Sequence, residues 1–211
     1  MSANPIPSLN PWFPSAAAGA PPPRPLRAIG IVGSGKTATG IAHLCATKTL
    51  GVIMHDSIAG ALTQGVENIR GLFRAAEERH EITHAAAHKA MGGIGISTSV
   101  DDMEFCDIII ETLTEDAASK RARFVDFARV MPPDAILASC ASEEGLEELF
   151  AGTASPSRVI GLSFFDPVES SRQIQITIGS QTSRLTVERV LAFVNTLGKA
   201  PVVKGKPRSG A

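Results

Sequence analysis

A glycine-rich loop followed by an acidic residue is the part of the sequence best suited to chemistry. A G-x-G-x-x-A loop, GSGKTA, ends the apolar run 28–33 and opens a helical pattern. In such a loop the first glycine permits a tight turn and the second lets a pyrophosphate approach the backbone. A small third residue keeps helix and strand close. Free N–H groups at the helix start bind phosphate oxygens. We expect phosphate contacts from Gly33, Gly35, Lys36, Thr37 and Ala38.

Asp56 supplies the acidic residue. It ends a second apolar run, GVIMHD (51–56), 21 residues after Gly35. A carboxylate at this place accepts a hydrogen bond from an adenine ribose 2′-hydroxyl and repels a 2′-phosphate. The loop and Asp56 together predict a dinucleotide site that prefers NAD to NADP. The alternative is a glycine turn that holds no ligand.

Short apolar runs alternate with longer helical patterns, which predicts an α/β fold of the Rossmann type. We expect a doubly wound, mostly parallel sheet with an antiparallel addition at 173–179, where apolar and polar residues alternate in a half-exposed pattern. The remaining predicted strands are 28–33, 51–56, 94–99, 107–112, 135–139, 158–165 and 201–203. The predicted helices are 36–49, 58–79, a second segment that ends at Met91, 116–131, 143–150 and 184–197.

The prolines mark the start of the folded region. Eight of the 14 prolines lie within residues 1–25, and proline removes backbone donors and fixes φ. We therefore predict a disordered proline-rich tail at 1–26, a dinucleotide-binding domain at 27–204 and a polar tail at 205–211.

Composition excludes several classes of partner. The 20 basic and 21 acidic residues nearly balance, which favours neither nucleic acid nor an anionic membrane. No apolar run approaches the roughly 18 residues of a membrane span, and the three separated cysteines fit a reducing compartment. We expect a soluble, cytoplasmic protein. We predict no metal site, because a turn at 80–83 separates His80 from His84 and His88.

Five motifs in order resemble one family. The segments IGIVGSGKTATGIA, the strand end at Asp56, IIETLTEDAASK, ILASCAS and RVIGLSFFDPV look like the NAD-binding domain of 3-hydroxyacyl-CoA dehydrogenases. The resemblance covers about 27–204 and implies NAD as cofactor. It implies further cofactor contacts at Glu115, Lys120, Ser142 and Asp166, with Ser142 also contacting substrate. The segment 58–91 corresponds to the protruding helix pair of the family.

That helix pair helps to hold coenzyme A in the family. Arg70 and Arg74 stand one turn apart on the first of the two helices, where they could reach the coenzyme A phosphates. Two arginines that only face solvent are the alternative. An acyl-CoA is accordingly the substrate that the resemblance implies.

The catalytic positions depart from the family pattern. The family motif G-L-H-F-F-N-P is replaced by GLSFFDP at 161–167, so Ser163 stands where the family has its catalytic histidine. The family also has a glutamate twelve residues later, and Gln175 stands there. Asp166 and Cys140 each replace an asparagine. A hydroxyl without an activator is a poor base, which leaves Asp166 and Glu169 as candidate substitute bases.

Three functions therefore remain open. The leading hypothesis is an NAD(H)-binding, CoA-recognising relative of 3-hydroxyacyl-CoA dehydrogenases with impaired or absent activity, acting as a sensor or as a subunit. The second is an active 3-hydroxyacyl-CoA oxidoreductase with a substitute base. In the family an all-helical domain follows the last strand, so a partner would supply that domain. The third is a non-catalytic module for protein contacts.

Overall fold

The computed structural model describes residues 23–113, 117–140, 143–150 and 153–205. Most of the predicted disordered tail, 1–22, lies outside these ranges, and so do residues 206–211 of the predicted polar tail. Two predicted site residues, Glu115 and Ser142, also lie outside them.

Strands and helices follow the predicted order. The strands are β1 (Ala28–Val32), β2 (Gly51–His55), β3 (Ile94–Ser97), β4 (Ile108–Glu111), β5 (Ile136–Ser139), β6 (Val159–Phe164), β7 (Gln173–Ile178) and β8 (Ala200–Gly205). The helices are α1 (Lys36–Thr47), α2 (Ala59–Glu78), α3 (His84–Met91), α4 (Ala117–Val130), α5 (Glu143–Phe150) and α6 (Arg184–Thr196). Short 3₁₀ turns cover Asp101–Met103 and Pro156–Arg158.

The strands form one eight-stranded sheet in the order β3-β2-β1-β4-β5-β6-β7-β8. Every pair from β3 to β6 is parallel, β6 and β7 are antiparallel, and β7 and β8 are again parallel. The inner strands are apolar on both faces because helices cover both sides. The strand order reverses between β1 and β4, and a dinucleotide binds at such a reversal, beside the carboxyl ends of the strands.

Two hydrophobic clusters, one on each face of the sheet, hold the layers together. The larger cluster joins the sheet to α1, α2, α3 and α6, and the helix pair contributes Leu62, Ile69 and Phe73 to it. The smaller cluster joins it to α4 and α5. Phe124, Phe127 and Met131, spaced three and four residues apart within the predicted helix 116–131, are buried in this second cluster. Helical periodicity therefore identified the packing face correctly.

One prediction about β7 is wrong in part. The strand is antiparallel to β6 as expected, but four of its six residues are buried rather than half of them exposed. The reason is that β8 pairs along its other edge, and Ile174, Ile176 and Ile178 share the core with α6.

The start of the described chain is hydrogen-bonded to Asp107, at the amino-terminal end of β4. Arg24 Nη2 lies 2.5 Å from Asp107 Oδ1, and the N–H groups of Arg27 and Ala28 donate to Asp107 Oδ2 at 2.8 and 2.9 Å. Leu26 is buried within the larger cluster. Arg24 and Leu26 thus contact the domain although they precede its predicted start at residue 27.

Candidate functional site

The chain turns sharply where β1 ends. Gly33 has a φ of +106°, a conformation that strains any residue with a Cβ. Its N–H donates to the His55 carbonyl at 2.8 Å. A Cβ at Gly33 would lie 2.8 Å from Thr112 Oγ1. Glycine is therefore required here both by the backbone and by the segment that follows β4.

The start of α1 offers an open cradle. Gly35 is its N-cap, and a Cβ built on Gly35 meets no atom of the described residues within 4 Å. The first turn carries no acid, and the first N–H groups of a helix have no intrahelical partner. Thr37 is partly buried there, and Ala38 is buried, which lets α1 pack closely on the sheet. Open space before unpaired donors fits a pyrophosphate.

Asp56 stands at the carboxyl end of β2, as predicted. Ser34 Oγ donates to its Oδ2 at 2.7 Å, and the Ile58 N–H donates to its Oδ1 at 3.1 Å. Both donors fix the orientation of a carboxylate that remains partly exposed. Each carboxylate oxygen keeps a further acceptor site, so Asp56 fits the hydroxyls of an adenine ribose.

Glu111 lies at the candidate site but was not predicted from the sequence. It ends β4 at the carboxyl edge, is fully buried, and lies 3.2 Å from the ammonium of Lys120. The Ser139 hydroxyl donates to it at 2.7 Å. The structure thus places Lys120, predicted as a cofactor contact, beside the ends of β4 and β5. The available signal was an acid that closes the apolar run III at 108–110.

Ser163 and Gln175 are direct neighbours across two strands. Their Cα atoms are register partners in the antiparallel pair of β6 and β7, so their side chains share one face of the sheet. Gln175 Nε2 lies 3.4 Å from Thr177 Oγ1. The twelve-residue spacing therefore brings together a hydroxyl and an amide, neither of which is an effective base near neutral pH.

Cys140 follows β5 next to these groups. Its thiol donates to the Leu162 carbonyl at 3.3 Å. Burial, together with Glu111, raises the pKa of the Cys140 thiol to about 11. A thiol in this state is protonated near neutral pH and is a poor nucleophile.

Asp166 forms a hydrogen bond with Lys36 of the glycine-rich loop GSGKTA. Lys36 Nζ donates to Asp166 Oδ2 at 2.6 Å, and this hydrogen bond raises the pKa of Lys36. The two residues, both predicted as cofactor contacts, lie 130 positions apart in sequence. Behind them Gly40 of α1 packs against Val168, so the segment after β6 rests on the first half of α1.

Two cavities lie along α1, share Glu169 in their lining, and are together called the α1 groove. Its first part, about 380 Å³, is lined by Lys36, Asp166 and Glu169 with one side of α2. Its second part, about 580 Å³, shares Glu169 and continues to Lys48 and Arg79. Arg79 Nε and Nη2 donate to the Glu81 carboxylate at 2.8 and 2.9 Å.

Arg70 and Arg74 line a different cleft. They lie between α2 and α3 with His84 and His88, and Arg70 pairs with Glu67. The two arginines thus face the helix pair itself rather than the α1 groove. Two basic groups at the far end of the α1 groove, Lys48 and Arg79, were not identified from sequence.

The described residues contain neither a membrane span nor a metal cluster. In the described ranges no helix is both long and apolar enough to cross a membrane. No three His, Cys, Asp or Glu side chains in the same ranges group so as to hold a metal ion. The predicted turn before His84 is present, since His80 has a φ of 58° and α3 begins at His84.

Comparison with known proteins agrees with this geometry. Residues 28–206 match the family described as "3-hydroxyacyl-CoA dehydrogenase, NAD binding domain". A 3-hydroxybutyryl-CoA dehydrogenase of Bradyrhizobium diazoefficiens is 33% identical over 178 residues, which cover 84% of this chain and 61% of the relative. A probable 3-hydroxybutyryl-CoA dehydrogenase of Bacillus subtilis is 30% identical over 177 residues, which cover 84% of this chain and 62% of the relative.

A solved structure shares the fold. The (S)-3-hydroxybutyryl-CoA dehydrogenase PaaH1 of Ralstonia eutropha superposes with a TM-score of 0.82 at 32% identity, over 86% of this chain and 64% of that one. The chain therefore spans less than two thirds of the length of these relatives. The family match extends over nearly the whole described region, and the open cradle and Asp56 fit the cofactor named in the family. The chain belongs to the family of NAD-binding domains of 3-hydroxyacyl-CoA dehydrogenases, and its cofactor is NAD.

Proposed function

We propose that this chain binds NAD(H) and an acyl-CoA but has little or no dehydrogenase activity of its own. The observation that carries the proposal is the pairing of Ser163 with Gln175 across β6 and β7. Proton transfer to or from a 3-hydroxyl needs a group that titrates near the working pH. A hydroxyl beside an amide provides neither the proton acceptor nor the charge that would activate one.

The cofactor half of the site keeps its binding groups. The α1 N-terminus donates to the phosphates, and Asp56, oriented by Ser34, accepts from the adenine ribose. When NAD is bound, its nicotinamide ring supplies the hydride chemistry. We place the nicotinamide half beyond β1, at the ends of β4 and β5, because a dinucleotide spans the point where the strand order reverses.

Asp166 is poorly placed to act as a substitute base. Its Oδ2 accepts a hydrogen bond from the Lys36 ammonium, so that oxygen is already engaged. Glu169 lines the α1 groove, and its backbone carbonyl accepts from Lys199 at 2.9 Å. The contacts of both residues support a role in shaping the groove rather than in proton transfer.

We assign the α1 groove to the acyl-CoA. The groove starts at the Lys36–Asp166 pair and follows α1 to Lys48. At a rise of about 1.5 Å per residue these twelve positions span about 18 Å, which suits an extended chain. The exposed cations Lys48 and Arg79 at the far end suit its phosphates.

The test combines binding with turnover. We expect calorimetric titration to detect NADH binding to the wild type. We expect NADH oxidation with acetoacetyl-CoA to match the protein-free rate. In the double variant Ser163→His/Gln175→Glu the rate rises by about 10²-fold, the usual contribution of a positioned acid–base group. Gln175→Glu alone is the control and leaves the rate unchanged, because it restores the neighbouring charge but not the imidazole that exchanges a proton with the 3-hydroxyl.

Other outcomes would contradict the proposal in different ways. Wild-type turnover that Asp166→Asn abolishes would establish an active oxidoreductase with a substitute base. No detectable heat with NADH would exclude cofactor binding and leave a module for protein contacts. No gain in the double variant would show that the pair does not limit the reaction.

A further inference from the structure

Glu111 is a buried carboxylate surrounded by donors from three segments. It is 0% exposed. Its Oε1 accepts from the Leu113 N–H at 2.5 Å, and its Oε2 accepts from Ser139 Oγ at 2.7 Å. Lys120 Nζ lies 3.2 Å from the same Oε2 and is only 13% exposed. A buried charge requires such partners, since an unpaired one is strongly destabilising.

The position of Glu111 in the sheet relates it to one half of the cofactor. Glu111 is the register partner of Val32, the last residue of β1, and of Ser139, the last residue of β5. Asp56, which suits the adenine ribose, lies on the opposite side of β1, at the end of β2. With the phosphates at Gly35, the nicotinamide half extends towards Glu111.

Glu111 fixes the turn that borders the phosphate loop. Thr112 Oγ1 donates to the Val32 carbonyl at 2.8 Å, and Leu113 donates to Glu111. A Cβ on Gly33 would lie 3.1 Å from Leu113 Cδ2. The turn at 112–113 therefore packs closely against the phosphate loop at Gly33. The Glu111 carboxylate stabilises this turn by accepting the Leu113 N–H.

Glu111 also fixes the nearby cation. Lys120 lies in the first half of α4, which begins at Ala117, and a cation near a helix N-terminus is disfavoured by the helix dipole. The Glu111 carboxylate offsets this cost and holds the ammonium beside the ends of β4 and β5.

We propose that Glu111 is a positioning residue for the nicotinamide end of the cofactor, acting through Lys120 and the turn at 112–113. This inference rests on the proposed placement of NAD, with its adenine ribose at Asp56. It assigns Glu111 no direct contact with the cofactor. Its loss therefore weakens recognition of the nicotinamide half and leaves recognition of the adenosine diphosphate half in place.

The test compares two ligands that differ only in that half. Dissociation constants of NADH and of ADP-ribose, which lacks the nicotinamide, are measured by calorimetry for wild type and Glu111→Gln. We expect the constant for NADH to rise about tenfold, as for a lost charged hydrogen bond, and that for ADP-ribose to change less than about twofold. The emission of bound NADH, which reports on the nicotinamide, shifts towards that of the free molecule.

Asp107→Asn is the matched control. Asp107 is a buried carboxylate at the other end of the same strand, where it holds Arg24 and two backbone N–H groups. We expect its substitution to leave both dissociation constants unchanged. If Glu111→Gln does not fold, the milder variant Ser139→Ala, which removes one donor to the Glu111 carboxylate, decides the matter, and we expect it to raise the NADH dissociation constant alone.

Two results would overturn the inference. One is unchanged NADH binding in Glu111→Gln or Ser139→Ala. The other is an equal weakening of NADH and ADP-ribose, which would indicate a general structural role. A wild type that binds neither ligand would instead contradict the proposed function, so the two failures are distinguishable.

Discussion

Two buried histidines, His43 and His55, make the stability of the fold sensitive to acid. His43 is 8% exposed and packs on Phe73 at a ring-centroid distance of 4.4 Å. In the described residues neither of its ring nitrogens has a hydrogen-bond partner. His55, 3% exposed, meets the edge of Phe127 at 5.7 Å.

Burial is the main cause that lowers the pKa of both histidines. For His43, Arg79 adds to the lowering while Glu169 and Glu81 oppose it. For His55, Arg123 adds to it and Asp56 opposes it. With the folded pKa below the unfolded value of about 6.5, the unfolded chain binds protons first. Stability is therefore lost as the pH falls below about 6.5, until the folded pKa is reached.

We predict that His43→Phe reduces this acid sensitivity. An aromatic ring of similar shape keeps the packing on Phe73 but takes up no proton. The urea midpoint, measured on both sides of about pH 6.5, falls less steeply in the variant than in the wild type. His80→Gln, at an exposed position, serves as control and keeps the wild-type slope. An unchanged slope in His43→Phe would contradict the prediction.

At the scale of elements, Lys199 joins the turn after α6 to the segment after β6. Its side chain is buried, and its ammonium donates to the carbonyls of Val168, Glu169 and Ser171 at 3.1, 2.9 and 2.6 Å. The same segment carries Asp166, which pairs with Lys36. Lys199 therefore fixes the segment after β6, which forms one wall of the α1 groove.

We predict that Lys199→Met lowers the free energy of unfolding by about 1–3 kcal/mol, the cost of leaving buried carbonyls without donors. Amide hydrogen exchange at 166–172 should also accelerate, because that segment loses its three hydrogen bonds from the Lys199 ammonium. Urea denaturation and exchange monitored by mass spectrometry measure the two effects. The control is Lys204→Met, at an exposed position of β8. Slow exchange at 166–172 in Lys199→Met would contradict a clamping role.

At the scale of the whole molecule, the α1 groove is built from segments far apart in sequence. Helices α1 and α2, the segment after β6 and the turn at 197–199 all contribute to it. Lys48 and Arg79 come from the ends of two different helices. Their convergence depends on the packing of α1 against α2, which no local pattern reveals.

We predict that Lys48→Ala/Arg79→Ala weakens binding of free coenzyme A by about tenfold, as expected for lost charged contacts to phosphate. Arg70→Ala/Arg74→Ala removes the same number of charges from the cleft between α2 and α3 and is the control. Calorimetric titration measures both. If the control weakens binding more than the test variant, the coenzyme lies along the helix pair, as expected from sequence.

Most of the fold was predictable because its signals are local. Apolar runs predicted the strands, and spacings of three and four predicted the helices that line the core. The sequence did not show that β8 would cover β7. The alternation of apolar and polar residues is a local property of one strand. The exposure of its side chains depends also on which strand pairs beside it in the sheet.

For the site, the sequence by itself determined the glycine-rich loop, the acid at position 56, and a serine at 163 and a glutamine at 175 where the family resemblance implies a histidine and a glutamate. These depend on residue type and on spacing along one or two elements. Only the tertiary structure decided that Lys36 meets Asp166 across 130 positions, and that Glu111 gathers Ser139 across 28. Such contacts form when the whole sheet assembles, since burial and side-chain reach in three dimensions, rather than local periodicity, bring the partners together.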